Sequence, residues 1–156
     1  MIFKNEIKFA PKPPMRGFTL IELVIVIGLS VIIVSFFSIL GNQAIINQEF
    51  ERAKEIIKSE LFSAQAKSIS GVDDSVWGVA FMNNQIISFR GSSYAGRNIA
   101  YDNIINFSNT VSISGANEIV FDRIDGGIIS PITLTISAGA QTSNISINTH
   151  GAISLQ

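Results

Sequence analysis

Leu23-Val24-Ile25-Val26-Ile27-Gly28-Leu29-Ser30-Val31-Ile32-Ile33-Val34-Ser35-Phe36-Phe37-Ser38-Ile39-Leu40 is a run of eighteen residues without a charge. It lies within a longer block, Phe18 to Leu40, in which 17 of 23 residues are apolar. At ~1.5 Å of rise per helical residue the block spans roughly 35 Å, more than a bilayer core of ~30 Å. A secretory signal has an apolar core of only about 7–15 residues and ends in a small-residue cleavage site. Phe36-Phe37-Ser38-Ile39-Leu40 offers no such site, so the block reads as a retained transmembrane anchor.

Outside that block the chain is ordinary. Its 156 residues are 47% hydrophobic and 15% charged, with mean hydropathy +0.39 and formal net charge −1. Without residues 18–40 the apolar share falls to about 42%, a soluble composition. The length fits one domain with an appendage. So apolar a chain with so little net charge is not disordered, and a single long run excludes a polytopic membrane protein. The absence of cysteine excludes disulfide scaffolds, thiolate metal sites and cysteine nucleophiles.

The flanks set the orientation. Residues 1–17 carry Lys4, Lys8, Lys12 and Arg16 against Glu6, and Pro11, Pro13 and Pro14 keep this leader out of the helix. By the positive-inside rule the N-terminus stays in the cytoplasm and the chain after Leu40 is exported. Glu22 does not fit a plain anchor, because a carboxylate at the centre of a membrane helix costs on the order of 2.5–3.5 kcal/mol and calls for a partner. No Lys or Arg lies between Gly17 and Arg52. Cleavage after Gly17 would create a cation, the α-ammonium of Phe18, one helical turn away in the same chain or within reach from a neighbouring one. Solvation of Glu22 by lipid headgroups is the alternative.

Taken whole, Arg16-Gly17-Phe18-Thr19-Leu20-Ile21-Glu22-Leu23-Val24 resembles the class III signal of type IV prepilins and type II secretion pseudopilins. The resemblance implies that a prepilin peptidase cuts between Gly17 and Phe18 and that the new terminus, Phe18, is N-methylated. It assigns Glu22 to docking each incoming subunit on its predecessor. The implied partners are the peptidase, other pilins or pseudopilins in a helical filament, an assembly platform, and membrane lipid before assembly. The implied location is the cytoplasmic (inner) membrane, followed by a cell-surface or periplasmic filament.

Beyond the anchor, Ile46, Phe50, Ala53, Ile57, Leu61 and Ala64 recur at spacings of four, three, four, four and three, an amphipathic stripe. Despite a weak spot at Gly41-Asn42, this predicts one helix from Phe18 to about Ser68, with Ser70-Gly71-Val72-Asp73-Asp74 ending it. The pattern then alternates with period two in Val111–Ser114, Thr133–Ser137 and Asn144–Asn148. Val76–Phe81, Ile86–Phe89 and Glu118–Phe121 supply further strands, with Asn- and Gly-rich turns between them. The expected fold class is α+β: a long N-terminal helix packed against a C-terminal antiparallel β-sheet. The expected division is leader 1–17, transmembrane half-helix 18–40, amphipathic half-helix 41–70 and β-rich domain 71–156.

Trp77-Gly78-Val79-Ala80-Phe81 and Phe121-Asp122-Arg123-Ile124-Asp125-Gly126 are similar to segments of GspH/FimT-like minor pilins and pseudopilins. Many of those end in an arginine-containing strand, whereas this chain ends His150-Gly151-Ala152-Ile153-Ser154-Leu155-Gln156.

Little else suggests chemistry. His150 is the sole histidine and precedes Gly151, as turn residues do. Asp122 and Asp125, like Asp73 and Asp74, lack the spacing of a calcium loop and read as turn residues. Arg90, Tyr94 and Arg97 flank a Gly- and Ser-rich loop suited to a phosphate backbone. Yet residues 41–156 carry seven positive and ten negative charges, which opposes nucleic acid. The expectation is a structural protein, not an enzyme, with no cofactor and no metal. Intact-mass measurement checks the processing step: residues 1–17 are lost only in cells that contain a prepilin peptidase.

Overall fold

The computed structural model describes residues 17–156, apart from the side chains of residues 37–42. The expected leader, Gly17 excepted, lies outside the described residues, as do the side chains at the end of the apolar block and at the Gly41-Asn42 weak spot. The backbone divides into two compact units, with the boundary between Leu40 and Gly41.

The first unit is the opening part of a helix, α1 (Leu20–Ile69). Its large apolar side chains from Leu23 to Val34 each keep 54–64% of their surface exposed. That evenness means the helix is apolar all the way round, and such a surface requires cover from outside the unit. The hydroxyls in it do not disturb that surface: Ser30 donates to Val26 O at 2.7 Å and Ser35 to Val31 O at 2.8 Å. Among the described residues no helix is long and apolar enough to cross a membrane. The expected span, residues 18–40, includes 37–40, whose side chains fall outside that set.

In the second unit α1 presents the expected stripe. Phe50, Ala53, Ile57, Leu61 and Ala64 are 0–4% exposed, and Ile46 packs against them. The helix ends at Ile69, and Gly71 follows at φ 64°, the left-handed conformation that glycine adopts without strain. A 3-10 turn, Val72–Asp74, leads into the strands.

The strands are β1 (Trp77–Met82), β2 (Gln85–Arg90), β3 (Asn103–Asn106), β4 (Val111–Ser114), β5 (Glu118–Phe121), β6 (Ile132–Ala138), β7 (Gln141–Ile147) and β8 (Ile153–Leu155). They form two antiparallel sheets rather than the one expected, in the orders β3-β2-β1-β5 and β4-β6-β7-β8. Val79, Phe81, Ile86, Ile119 and Phe121 of the first sheet share one core with the helix stripe and with Leu134, Ile136, Ile145 and Ile147 of the second. β6 and β7 alternate buried and open positions, as a sheet covered on one face should. β1 and β2 are buried at nearly every position, because both faces of the first sheet are covered. Ala80, Ile87 and Phe89 face away from the helix and form a second small core with Met82, Tyr94 and Val120.

Leu61 is fully buried at the centre of this arrangement. Leu61→Ala is expected to cost about 2–5 kcal/mol, by lost transfer energy and the cavity left behind, read by denaturant unfolding of the full chain in detergent.

Candidate functional site

The N-terminal site is built by one threonine. Thr19 precedes the first helical residue; its Oγ1 accepts from the Glu22 backbone N–H at 3.3 Å and its carbonyl accepts from Leu23 N–H at 3.2 Å. Thr19 is thus the helix N-cap, and Glu22 occupies the third helical position, the Thr-x-x-Glu spacing of a capping box. The Glu22 carboxylate stands in the first turn, where the unpaired N–H groups favour a negative charge. Gly17, Phe18 and Thr19 are non-helical and exposed, with Phe18 at 82%. The Gly17-Phe18 junction is thus open and non-helical, immediately before the first turn of α1.

Residues 13–38 match the family model described as the prokaryotic N-terminal methylation motif. That match supports a type IV pilin-like prepilin, the class whose precursors are membrane-anchored and then enter a surface filament. The matched stretch contains Gly17, Phe18 and Glu22. No curated protein matches the chain, and no solved structure matches it.

The Arg90–Arg97 segment forms a separate feature. It follows β2 and folds over the outer face of the first sheet, where Tyr94 meets Phe89 edge to face at 5.8 Å. Glu118 accepts from the Tyr94 backbone N–H. The Arg97 guanidinium stacks 3.6 Å from the Tyr94 ring, and its Nε donates to Asp102 at 2.8 and 3.1 Å. Its Nη1 donates to Tyr94 O at 2.8 Å. Arg90 donates to Asp73 O at 2.7 Å and lies 4.6 Å from the Tyr101 ring. The structure thus brings Arg90, Tyr94 and Arg97 into one segment with both cations engaged inside the chain.

The turn residues behave as turn chemistry requires. Asp125 Oδ1 accepts from Gly127 N–H at 2.9 Å, Asp74 pairs with Arg123, and His150 is exposed with its N–H on Asn148 Oδ1 at 3.0 Å.

Three tethering residues escaped the sequence reading. Ser68 continues the stripe four residues past Ala64, and its hydroxyl accepts from Trp77 N–H at 2.8 Å, fixing the start of β1 to the helix. Asp102 holds Arg97. Gln65 donates from one amide nitrogen to Gly126 O at 2.9 Å and to Gly151 O at 2.8 Å, joining two turns that are far apart in sequence. A Cβ on Gly151 would run into both Gly126 O and the Gln65 amide, so only glycine fits. The Thr-x-x-Glu spacing was a readable signal for Thr19; nothing local marks Gln65 or Asp102. Gln65→Ala leaves both carbonyls without their donor and is expected to lower stability by about 1–3 kcal/mol, measured by urea unfolding of the full chain.

Proposed function

We propose that the chain is a structural subunit of a type IV pilus, a competence pilus or a type II secretion pseudopilus. The methylation-motif match over residues 13–38 carries the reading. In it, a prepilin peptidase removes residues 1–17 and Phe18 is N-methylated. Residues 18–40 anchor the precursor in the cytoplasmic membrane as a single pass, with the N-terminus in the cytoplasm, and then pass into the filament core. Residues 41–70 and 71–156 form the exported part of the subunit.

The all-round apolar surface of Leu23–Val34 supports this, because lipid before assembly and neighbouring helices afterwards both supply the missing cover. After cleavage, the only cation that residues 18–51 of its own chain offer Glu22 is the Phe18 ammonium. Meeting that ammonium on an adjacent subunit would neutralise a costly charge and fix the axial position of the newcomer at the same time. Within the class, the Trp77–Phe81 strand and the Phe121–Gly126 turn favour a minor subunit of the GspH/FimT-like kind.

The alternative is a tip-located minor pilin that binds DNA or a surface ligand through Arg90, Tyr94 and Arg97. It has less support, since both guanidinium groups are already paired and the exported part is acidic. Glu22→Ala is expected to leave membrane insertion unchanged and to abolish or sharply reduce incorporation, measured as subunit in sheared filaments relative to the membrane fraction. Normal incorporation would remove Glu22 from the mechanism.

A further inference from the structure

Among the described residues the first sheet ends in two edge strands, β3 and β5, each paired with a strand on one side only. Phe81 N–H donates to Asn117 O and Phe107 N–H donates to Asn84 O, which sets the direction of every backbone group along these strands. Counting along the antiparallel registers, Ile119 and Phe121 turn their N–H and C=O toward β1, whereas Glu118 and Val120 turn theirs outward. On β3, Asn103 and Ile105 face β2, and Ile104 and Asn106 turn theirs outward. Each edge therefore offers two residues whose donors and acceptors point away from the sheet.

The two edges suit each other. All pairings in the sheet are antiparallel, so β3 and β5 run in opposite directions. A second copy set beside the first by translation brings its β3 antiparallel to β5. That contact is head-to-tail and does not close on itself, the kind that builds open helical assemblies. The side chains match as well. Ile104, Asn106, Glu118 and Val120 all lie on the outer face, because residues directly opposite across a ladder share a face. With Ile104 opposite Val120, Asn106 falls opposite Glu118 and, on the other face, Ile105 falls opposite Ile119. Ile104 is 54% exposed, an apolar side chain at an unpaired edge. Glu118 Oε2 accepts from Tyr94 N–H, and a carboxylate can accept further bonds from an amide such as that of Asn106. Beside β5 lies a trough of about 430 Å³ lined by Val120, Phe121, Ile128 and Ile129.

We propose that β3 of one copy of this chain adds to the β5 edge of the next, extending the first sheet from subunit to subunit. The proposal rests on the filament reading and needs only two adjoining copies. Because the chain has no cysteine, engineered cysteines report without background. A hydrogen-bonded antiparallel pair sets Cα atoms ~5.5 Å apart, within disulfide range. Filaments of the full-length Ile104→Cys, Val120→Cys double variant, oxidised in place, should give a ladder on non-reducing gels: dimers wherever two copies adjoin, and higher species where more do. The ladder should vanish on reduction and be absent from either single variant. Assembled filaments without a ladder overturn the strand pairing and leave the filament reading standing. Dimers from one single variant indicate like edges paired about a two-fold axis, and a disulfide from Val120→Cys to a different filament protein indicates another occupant; each overturns the proposal. Failure of the unmodified chain to enter any filament overturns both readings. Should the double variant alone fail to assemble, Asn106→Lys replaces it. A zero-length carbodiimide should then join Lys to Glu118 of a neighbour, seen as a linked peptide by mass spectrometry, and absence of that peptide from assembled filaments overturns the pairing.

Discussion

One face of α1 holds the second unit together. Phe50, Ala53, Ile57, Leu61 and Ala64 give up nearly all their surface to water exclusion, and inward residues of both sheets close on them in a single core. Both four-stranded sheets bury inward residues in this core, so the strands depend on the helix as much as the helix depends on them. The alanines at 53 and 64 are as completely buried as the larger residues, and their small side chains allow close approach to the helix axis. Ser68 and Gln65 then convert packing into position. The first ties β1 to the helix and the second ties two remote turns to it.

The same helix meets a different constraint in the first unit. There the apolar residues go all the way round, hydroxyls bond back to the helix, and the described large apolar side chains from Leu23 to Val34 all stay more than half exposed. An amphipathic segment carries its own cover when a sheet folds on it; an isotropically apolar one must borrow cover from lipid or from other chains. The cap at Thr19 and the carboxylate at Glu22 sit at the very start of this segment, where an exposed tripeptide at Gly17-Phe18-Thr19 becomes helix within one residue. The proposed processing junction and the start of the helix therefore fall in one local feature.

Much of this was legible along the chain. The methylation-type nonapeptide is contiguous, so it needs no tertiary information, and the stripe from Ile46 to Ala64 survives because helical spacing is a local property. The six expected strands all formed. β3 and β8 went unseen because Asn-Ile-Ile-Asn and Ile-Ser-Leu are too short for alternation to register. The division into two sheets was also unreadable: β1 and β2 are buried on both faces only because the Arg90–Arg97 segment folds over the side away from the helix. That segment reads as solvated in sequence, since Gly, Ser and Arg are what solvated loops contain. Its order comes from Asp102 and Glu118, residues whose proximity no spacing rule announces.

What the sequence by itself determined is whatever depends on neighbours within about one helical turn: the Thr19 cap, the Gly17-Phe18 junction, the position of Glu22, the apolar block and the stripe. These features follow from chain geometry at 1.5 Å per helical residue and hold before any long-range contact forms. Only the tertiary structure decided which strands share a sheet, which edges stay unpaired, and where Arg90, Arg97 and Arg123 find their acceptors. Those outcomes depend on groups brought together across 17 residues for Arg90 and Asp73, and across 86 for Gln65 and Gly151. Packing of a common core, not local propensity, selects them.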